Sequence, residues 1–332
     1  MRHVSIIERG THLGVSNDML VLREKDSLVR EWPLNRLRTI TLSSSGISIS
    51  TNLIAELARY GIALYVIDFR GRPVAQIAGS HQHAVAEVRR RQILYLERKD
   101  RADLAARFVY GKIRNQRAVL LYYAKVWKAE SKILGDSLEA TAERLMQAAH
   151  SIRYKNWMEQ SNWQEELLGI EGNAAREYWG AVRDHRMLGE NFTSRTGRGA
   201  EDVPNQALNL GYSILISYVW SAIAQAGLEP FMGVFHSERP GKPSLVLDLM
   251  EEYRPWTVDR VLMRMRKTIE GYKTLAPGLR KEIISRVHEA WNKRYPYYKK
   301  RVLLTAILQR QVYRLGGEFF SEKKYSPYLF KW

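Results

Sequence analysis

The run Gly233-Val-Phe-His236-Ser-Glu-Arg-Pro-Gly-Lys-Pro-Ser-Leu-Val-Leu-Asp248-Leu-Met-Glu251-Glu252-Tyr-Arg254-Pro255 sets an imidazole ahead of a short series of acids. Pro240, Gly241 and Pro243 make a loop of the stretch after His236, and Leu245-Val-Leu leads into Asp248, a residue suited to cap a new helical period. Residues three and four apart share a helix face, so Asp248, Glu251 and Glu252 send their carboxylates to roughly one side. Like charges gathered this closely repel unless a cation stands among them. Nitrogen and oxygen donors together suit magnesium or manganese better than calcium. Spacing alone also allows a plain structural histidine before a helix capped by acids, and both readings stand at this point.

Another acid lies in Leu167-Leu-Gly169-Ile-Glu171-Gly172-Asn-Ala-Ala-Arg176. The glycines on either side predict Glu171 near a helix start, held by close backbone packing, and by itself it reads as a helix cap. Arg195 follows, and then a helix, Asp202-Val-Pro-Asn205-Gln-Ala-Leu-Asn209-Leu-Gly-Tyr212. Its polar stripe, Asn205, Asn209 and Tyr212, can tie down a buried polar site. His81 and His83 alternate in a polar segment and read as solvated.

The elements that must position these groups divide the chain in two. Residues 3–8, 19–23, 28–32 and 37–42 are β-rich runs separated by turn residues, with Asn17-Asp18 and Lys25-Asp26 at hairpin spacing. They predict a small antiparallel sheet. Ser50 caps a helix over 51–60 that Gly61 ends, and 62–69 and 73–77 read as further strands. Residues 1–80 thus form a β-rich N-terminal domain, 81–91 a linker and 92–332 an α-helical domain, an α+β chain. Beyond the linker the period is helical nearly throughout, including 93–98, 104–128 and 138–153. Arg107, Lys112, Arg114, Arg117, Lys125 and Lys128 read as a solvated basic face, some of it available to DNA. Residues 277–302, with Lys299, Lys300 and Arg301, are the densest basic patch; Trp291 is expected to pack, and the Tyr-Pro-Tyr-Tyr stretch to be more open.

Across 332 residues, 52 Lys and Arg against 35 Asp and Glu leave a net charge of +17. That excess points to a polyanion, most simply nucleic acid. No cysteine is present, which excludes disulfides, thiolate metal sites and a cysteine nucleophile and fits a reducing, cytoplasmic setting. No apolar run approaches the ~20 residues of a bilayer span, so no membrane is expected.

The ordered set Gly-Ile-Glu171-Gly, Asp202-x-x-Asn205 through Gly211-Tyr212, Gly233-Val-Phe-His236 and Leu247-Asp248-Leu-Met-Glu251-Glu252-Tyr-Arg254-Pro closely resembles the CRISPR-associated integrase family, the larger adaptation protein of CRISPR immunity. The resemblance covers essentially the whole chain. It implies a metal-dependent DNA endonuclease and integrase that inserts spacer DNA into a CRISPR array by 3′-hydroxyl transesterification. It further implies Glu171, His236 and Glu251 as ligands of Mg2+ or Mn2+, Asp248 as an additional acid beside them, and Asn205 and Tyr212 in the polar helix next to the site; Arg195, Asn205 and Tyr212 are expected to bind DNA or to support the site. Glu252 is expected at most in a surface ion pair. The partners implied are double-stranded and branched DNA, a second copy through the sheet domain, and a small ferredoxin-like adaptation protein. The alternative class is a non-catalytic basic scaffold that bends or bridges DNA.

Overall fold

The computed structural model describes every residue except 1, 7, 26, 43–45, 68–72, 78, 80–84, 198, 238 and 332, so His81 and His83 lie outside the described residues. Packing divides the chain into two units, Met1–His83 and Ala84–Trp332.

The first unit runs β1 (Arg2–Ile6), β2 (Thr11–Ser16), β3 (Met19–Glu24), β4 (Ser27–Pro33), β5 (Leu37–Leu42), β6 (Ser48–Ile49), α1 (Thr51–Arg59), β7 (Ala63–Ile67) and β8 (Pro73–Ile77). Asn17 and Asp18, at φ 49° and 57°, turn β2 into β3 with Ser16 opposite Met19, as a two-residue hairpin loop requires. The Ser50 hydroxyl accepts from the Leu53 N–H at 3.2 Å and caps α1. The expectation of one antiparallel sheet is corrected. The strands form two mixed sheets, ordered β1-β5-β7-β8 and β4-β3-β2-β6, with β1 and β5, β5 and β7, and β2 and β6 parallel. The segment holding α1 returns the chain so that β7 lies parallel to β5, an outcome set by the crossover and not by alternation within either strand. Ile6, Leu13, Leu20, Ile40, Leu53 and Leu64 belong to the core of this unit.

The second unit is built on helices: α2 (Val85–Leu96), α3 (Asp100–Lys128), α4 (Lys132–Arg153), α5 (Trp163–Asp184), α6 (Val203–Gln225), α7 (Ser244–Met250), α8 (Arg260–Arg264), α9 (Arg266–Glu270), α10 (Pro277–Trp291) and α11 (Leu304–Phe319). A β-hairpin, β9 (Arg294–Tyr297) and β10 (Lys300–Leu303), interrupts the helical period expected there. Tyr295 and Tyr297 are buried while Arg294 and Pro296 are exposed, a two-residue alternation that marks a strand. Of the tyrosines expected to be open, only Tyr298 is, at 73% exposure. Trp291 packs as expected, stacked on Tyr218 with centroids 4.5 Å apart.

α6 is the central core helix. Its length and mean hydropathy of 1.4 would suffice to cross a bilayer, which corrects the expectation that no run comes close, but 78% of the apolar window is buried inside the protein. Gly211 lets it approach its neighbour: a Cβ there would lie 2.5 Å from Val258 Cγ1.

Candidate active site

Four segments converge on the candidate site. α3 contributes Lys112, α5 Glu171, the loop after α6 His236, and the end of α7 Asp248 and Glu251. All five line one cavity of about 10 Å³.

Asp248 does not cap a helix, as the sequence suggested; it lies in the last turn of α7, whose N-cap is Pro243. Its buried carboxylate instead gathers the preceding loop. Oδ2 accepts from the backbone N–H of Val234 (2.6 Å) and Phe235 (3.0 Å), and Oδ1 accepts from the N–H of His236 (2.9 Å) and its Nδ1 (2.6 Å). Gly233 permits this wrapping, since a Cβ there would lie 2.5 Å from Ser244 Cβ and 3.0 Å from Asp248 Oδ2. Arg101 holds the loop from α3, donating to the Val234 carbonyl at 2.8 Å. The carboxylate partner assigns the ring proton of His236 to Nδ1, which leaves Nε2 with a lone pair. A carboxylate on one ring nitrogen is a common way for proteins to orient a histidine whose other nitrogen binds a metal.

Glu171 is not at a helix start but in the middle of α5. Gly169 and Gly172 are not close-packing positions either, because a Cβ on either would meet nothing within 4 Å. Lys112 Nζ donates to Glu171 Oε1 and lies 2.6 Å from Glu251 Oε2. Glu251 Oε2 is buried, and among the described residues the Lys112 ammonium is its partner. Burial raises the Glu251 carboxyl, but the charges of Arg254 and Lys112 outweigh it and hold the group at about 2. It is an anion throughout the physiological range.

Arg254 Nη1 donates to Glu251 Oε1 at 2.5 Å, and its guanidinium stacks 4.2 Å over the Tyr212 ring. The Tyr212 hydroxyl donates to Asp259 Oδ1 at 2.5 Å, and Tyr178 donates to Asp259 Oδ2 at 3.1 Å. Burial raises Asp259 to about 6 against the pull of Arg254 and these hydroxyls. Pro255 has no N–H to continue the helical ladder, and the chain widens into a π-helical segment, Pro255–Asp259. Arg195 donates to Asn205 Oδ1 (3.0 Å) and Asn209 Oδ1 (2.6 Å). Asn205 is 1% exposed and Tyr212 7% exposed; both are interior supports, closed to DNA. Lys299, Lys300 and Arg301 lie exposed on the β9–β10 hairpin and do not line the cavity.

Glu252 departs most from expectation. It is fully buried, accepts from the Tyr325 hydroxyl (2.5 Å) and the Tyr328 N–H (3.0 Å), and is raised to about 8 by burial, which those donors only partly offset. It anchors the C-terminal residues. Asn115 joins it, donating to the Glu252 carbonyl at 2.7 Å and the Tyr328 carbonyl at 2.9 Å.

Lys112, Arg254 and Asp259 were missed in the sequence. The signal for Lys112 was its place three and four residues after Val109 and Phe108, on the apolar stripe of α3 and not its polar face.

Among the described residues no three of His, Asp and Glu form a ready metal site; the Lys112 ammonium holds Glu171 and Glu251 where a shared ion was expected. The residues nonetheless fit one. Glu171 and Glu251 already hold one cation, the Lys112 ammonium, between their carboxylates, His236 offers a free ring nitrogen, and the mixed donor set suits manganese or magnesium.

The model of the family "CRISPR associated protein Cas1" matches residues 4–285. A CRISPR-associated endonuclease Cas1 from Francisella tularensis subsp. novicida is 40% identical over 332 residues, covering 100% of both chains. Among solved structures, a casposase bound to integration product has a TM-score of 0.78 at 19% identity, covering 98% of this chain and 93% of that one. A Cas6-RT-Cas1–Cas2 complex has a TM-score of 0.77 at 21% identity, covering 98% of this chain and 36% of that one. These two structural likenesses show the fold.

Proposed function

This chain belongs to the CRISPR-associated Cas1 family, and from that premise we propose that Glu171, His236 and Glu251 are the ligands of its divalent ion, with Asp248 behind His236. The family consists of metal-dependent DNA endonucleases and integrases of spacer acquisition, and the chain is such an enzyme; the scaffold alternative is set aside. One observation carries the site assignment: His236, with its Nδ1 fixed on Asp248, and Glu251, with a buried oxygen held only by the Lys112 ammonium among the described residues, line the same small cavity as Glu171.

A bound Mg2+ or Mn2+ supplies electrophilic stabilisation of a phosphodiester and favours deprotonation of the attacking 3′-hydroxyl. The protein's own residues do the rest. Asp248 keeps the His236 proton on Nδ1, so Nε2 stays available as a donor of electrons and does not act as a base. Arg254, held by stacking on Tyr212, fixes one oxygen of Glu251 and leaves the other to the site. The exposed cations of the β9–β10 hairpin, Lys299, Lys300 and Arg301, bind duplex phosphates outside the reaction centre. The Cas1–Cas2 complex among the structural relatives supports a small Cas2-like partner, and the two-sheet unit is our candidate for the interface with a second copy.

The test is Mn2+ binding by calorimetry. Glu171→Ala, His236→Ala and Glu251→Ala should each weaken the high-affinity site at least about tenfold. A substitution that leaves Mn2+ affinity unchanged removes its residue from the ligand set.

A further inference from the structure

Lys112 sits in the middle of α3 at 8% exposure, with Phe108, Val109 and Phe235 also on the cavity wall. Its ammonium pairs with Glu171 and Glu251, contributed by two other segments. Among the described residues Nζ has no other partner. Arg254, the second cation on Glu251, differs in this respect, because stacking on Tyr212 at 4.2 Å anchors it independently of the carboxylate. Lysine is a compact charge on a flexible stem, able to leave a site by rotating its stem bonds.

We propose that Lys112 is a positioning residue that serves as the resident cation of the site, holding Glu171 and Glu251 together and leaving them when a divalent ion binds. The inference rests on the ligand assignment above. Two carboxylates brought this close and largely out of water repel unless a positive charge lies between them. Lys112 supplies that charge, so the ligands are drawn together before the ion arrives. The same arrangement opposes the ion's entry. The cavity of about 10 Å³ beside Lys112 is no larger than the least space a single water needs, so an ion that shares both carboxylates must take the space that Nζ holds. A monovalent and a divalent cation a few ångströms apart in a closed site repel strongly. Metal affinity is then an exchange: ion–carboxylate bonds form as the two lysine–carboxylate ion pairs break. A lysine serving only to complete the core would not compete with metal.

Calorimetric Mn2+ titration of the full chain tests this, with wild type, Lys112→Met, Lys112→Gln and the control Glu171→Ala, alongside thermal unfolding with and without Mn2+. Removing the competing charge should tighten Mn2+ binding about tenfold in both lysine variants. It should also lower their metal-free Tm relative to wild type, because the two acids then face each other with only Arg254, on Glu251, to offset them, and enlarge the rise in Tm that Mn2+ produces. A variant that folds only when Mn2+ is present also supports the exchange. Unchanged or weaker Mn2+ affinity in a folded Lys112→Met or Lys112→Gln overturns it. If instead Glu171→Ala binds Mn2+ as wild type does, the ligand assignment fails, and the inference falls with it for that separate reason.

Discussion

Asp248→Asn distinguishes a carboxylate that clamps a loop from one that binds the ion. The native carboxylate accepts four hydrogen bonds at 2.6 to 3.0 Å, two on each oxygen. An amide replaces one oxygen with NH2, and either orientation sets that donor against two donors. If it faces Val234 and Phe235, both N–H groups are left without an acceptor. If it faces His236, the ring must move its proton to Nε2 and can no longer ligate through that atom. Two hydrogen bonds to a charged acceptor, each worth roughly 1.5–3 kcal/mol, disappear, so the variant should be destabilised by about 3–6 kcal/mol. For a unit of this size that corresponds to a fall in Tm of about 6–24 °C. Mn2+ affinity should fall about 10–100-fold through the misplaced histidine. Differential scanning calorimetry and Mn2+ titration on the same preparations read both effects. A variant with wild-type Tm and no measurable Mn2+ binding would refute the reasoning, because Asp248 would then be a ligand and the loop would be held by something else.

Glu252→Ala leaves the Tyr325 hydroxyl and the Tyr328 N–H without their acceptor and should cost about 2–4 kcal/mol; it should also speed limited proteolysis of the C-terminal residues, and a cut rate equal to wild type argues against the anchor. Burial holds the His288 imidazole down to about 4 from its ordinary 6.5. The unfolded chain therefore takes up that proton first, and the group's contribution to stability is complete above pH 6.5 and lost as pH falls toward 4. His288→Gln should flatten the acid decline of Tm within that window, whereas an NMR titration placing His288 near 6.5 contradicts it. Alanine at Lys299, Lys300 and Arg301 together should reduce the slope of log affinity for duplex DNA against log salt by about 0.9 for each phosphate no longer neutralised; an unchanged slope moves the binding face off the β9–β10 hairpin.

What the sequence made legible was mostly local. Asn17-Asp18 specified a hairpin and Ser50 a helix cap because turn and cap chemistry is decided within a few residues. The helices of the second unit followed from apolar spacing, although α3 begins four residues earlier than expected, at Asp100 instead of Leu104. The parallel pairing of β1 with β5 and of β5 with β7 was hidden because it depends on connections through β2 to β4 and through α1, not on local alternation. The ordered motifs found Glu171, His236, Asp248 and Glu251, but not their roles relative to one another. Asp248 and Glu251 are three residues apart, yet one carboxylate turns back to the His236 loop and the other faces Lys112. Glu252, next in the chain, is turned onto Tyr325 and Tyr328. Those directions are set by where α3, the loop after α6 and the C-terminal residues pack, 12 residues away for the loop, 73 and 76 for Tyr325 and Tyr328 and farther for α3, which no local pattern encodes. Lys112 was grouped with the solvated cations because its charge was counted and its place on the apolar stripe was not.

The most direct test of the account is strand transfer of a DNA 3′-hydroxyl into a duplex target in the presence of Mn2+. Wild type should join the strands and lose the activity on chelation, while Glu171→Ala, His236→Ala and Glu251→Ala should each lose it with salt-dependent DNA binding retained. Near wild-type joining by any of the three in Mn2+, or joining by wild type that survives chelation, would contradict the claim that these residues hold the ion on which the reaction depends.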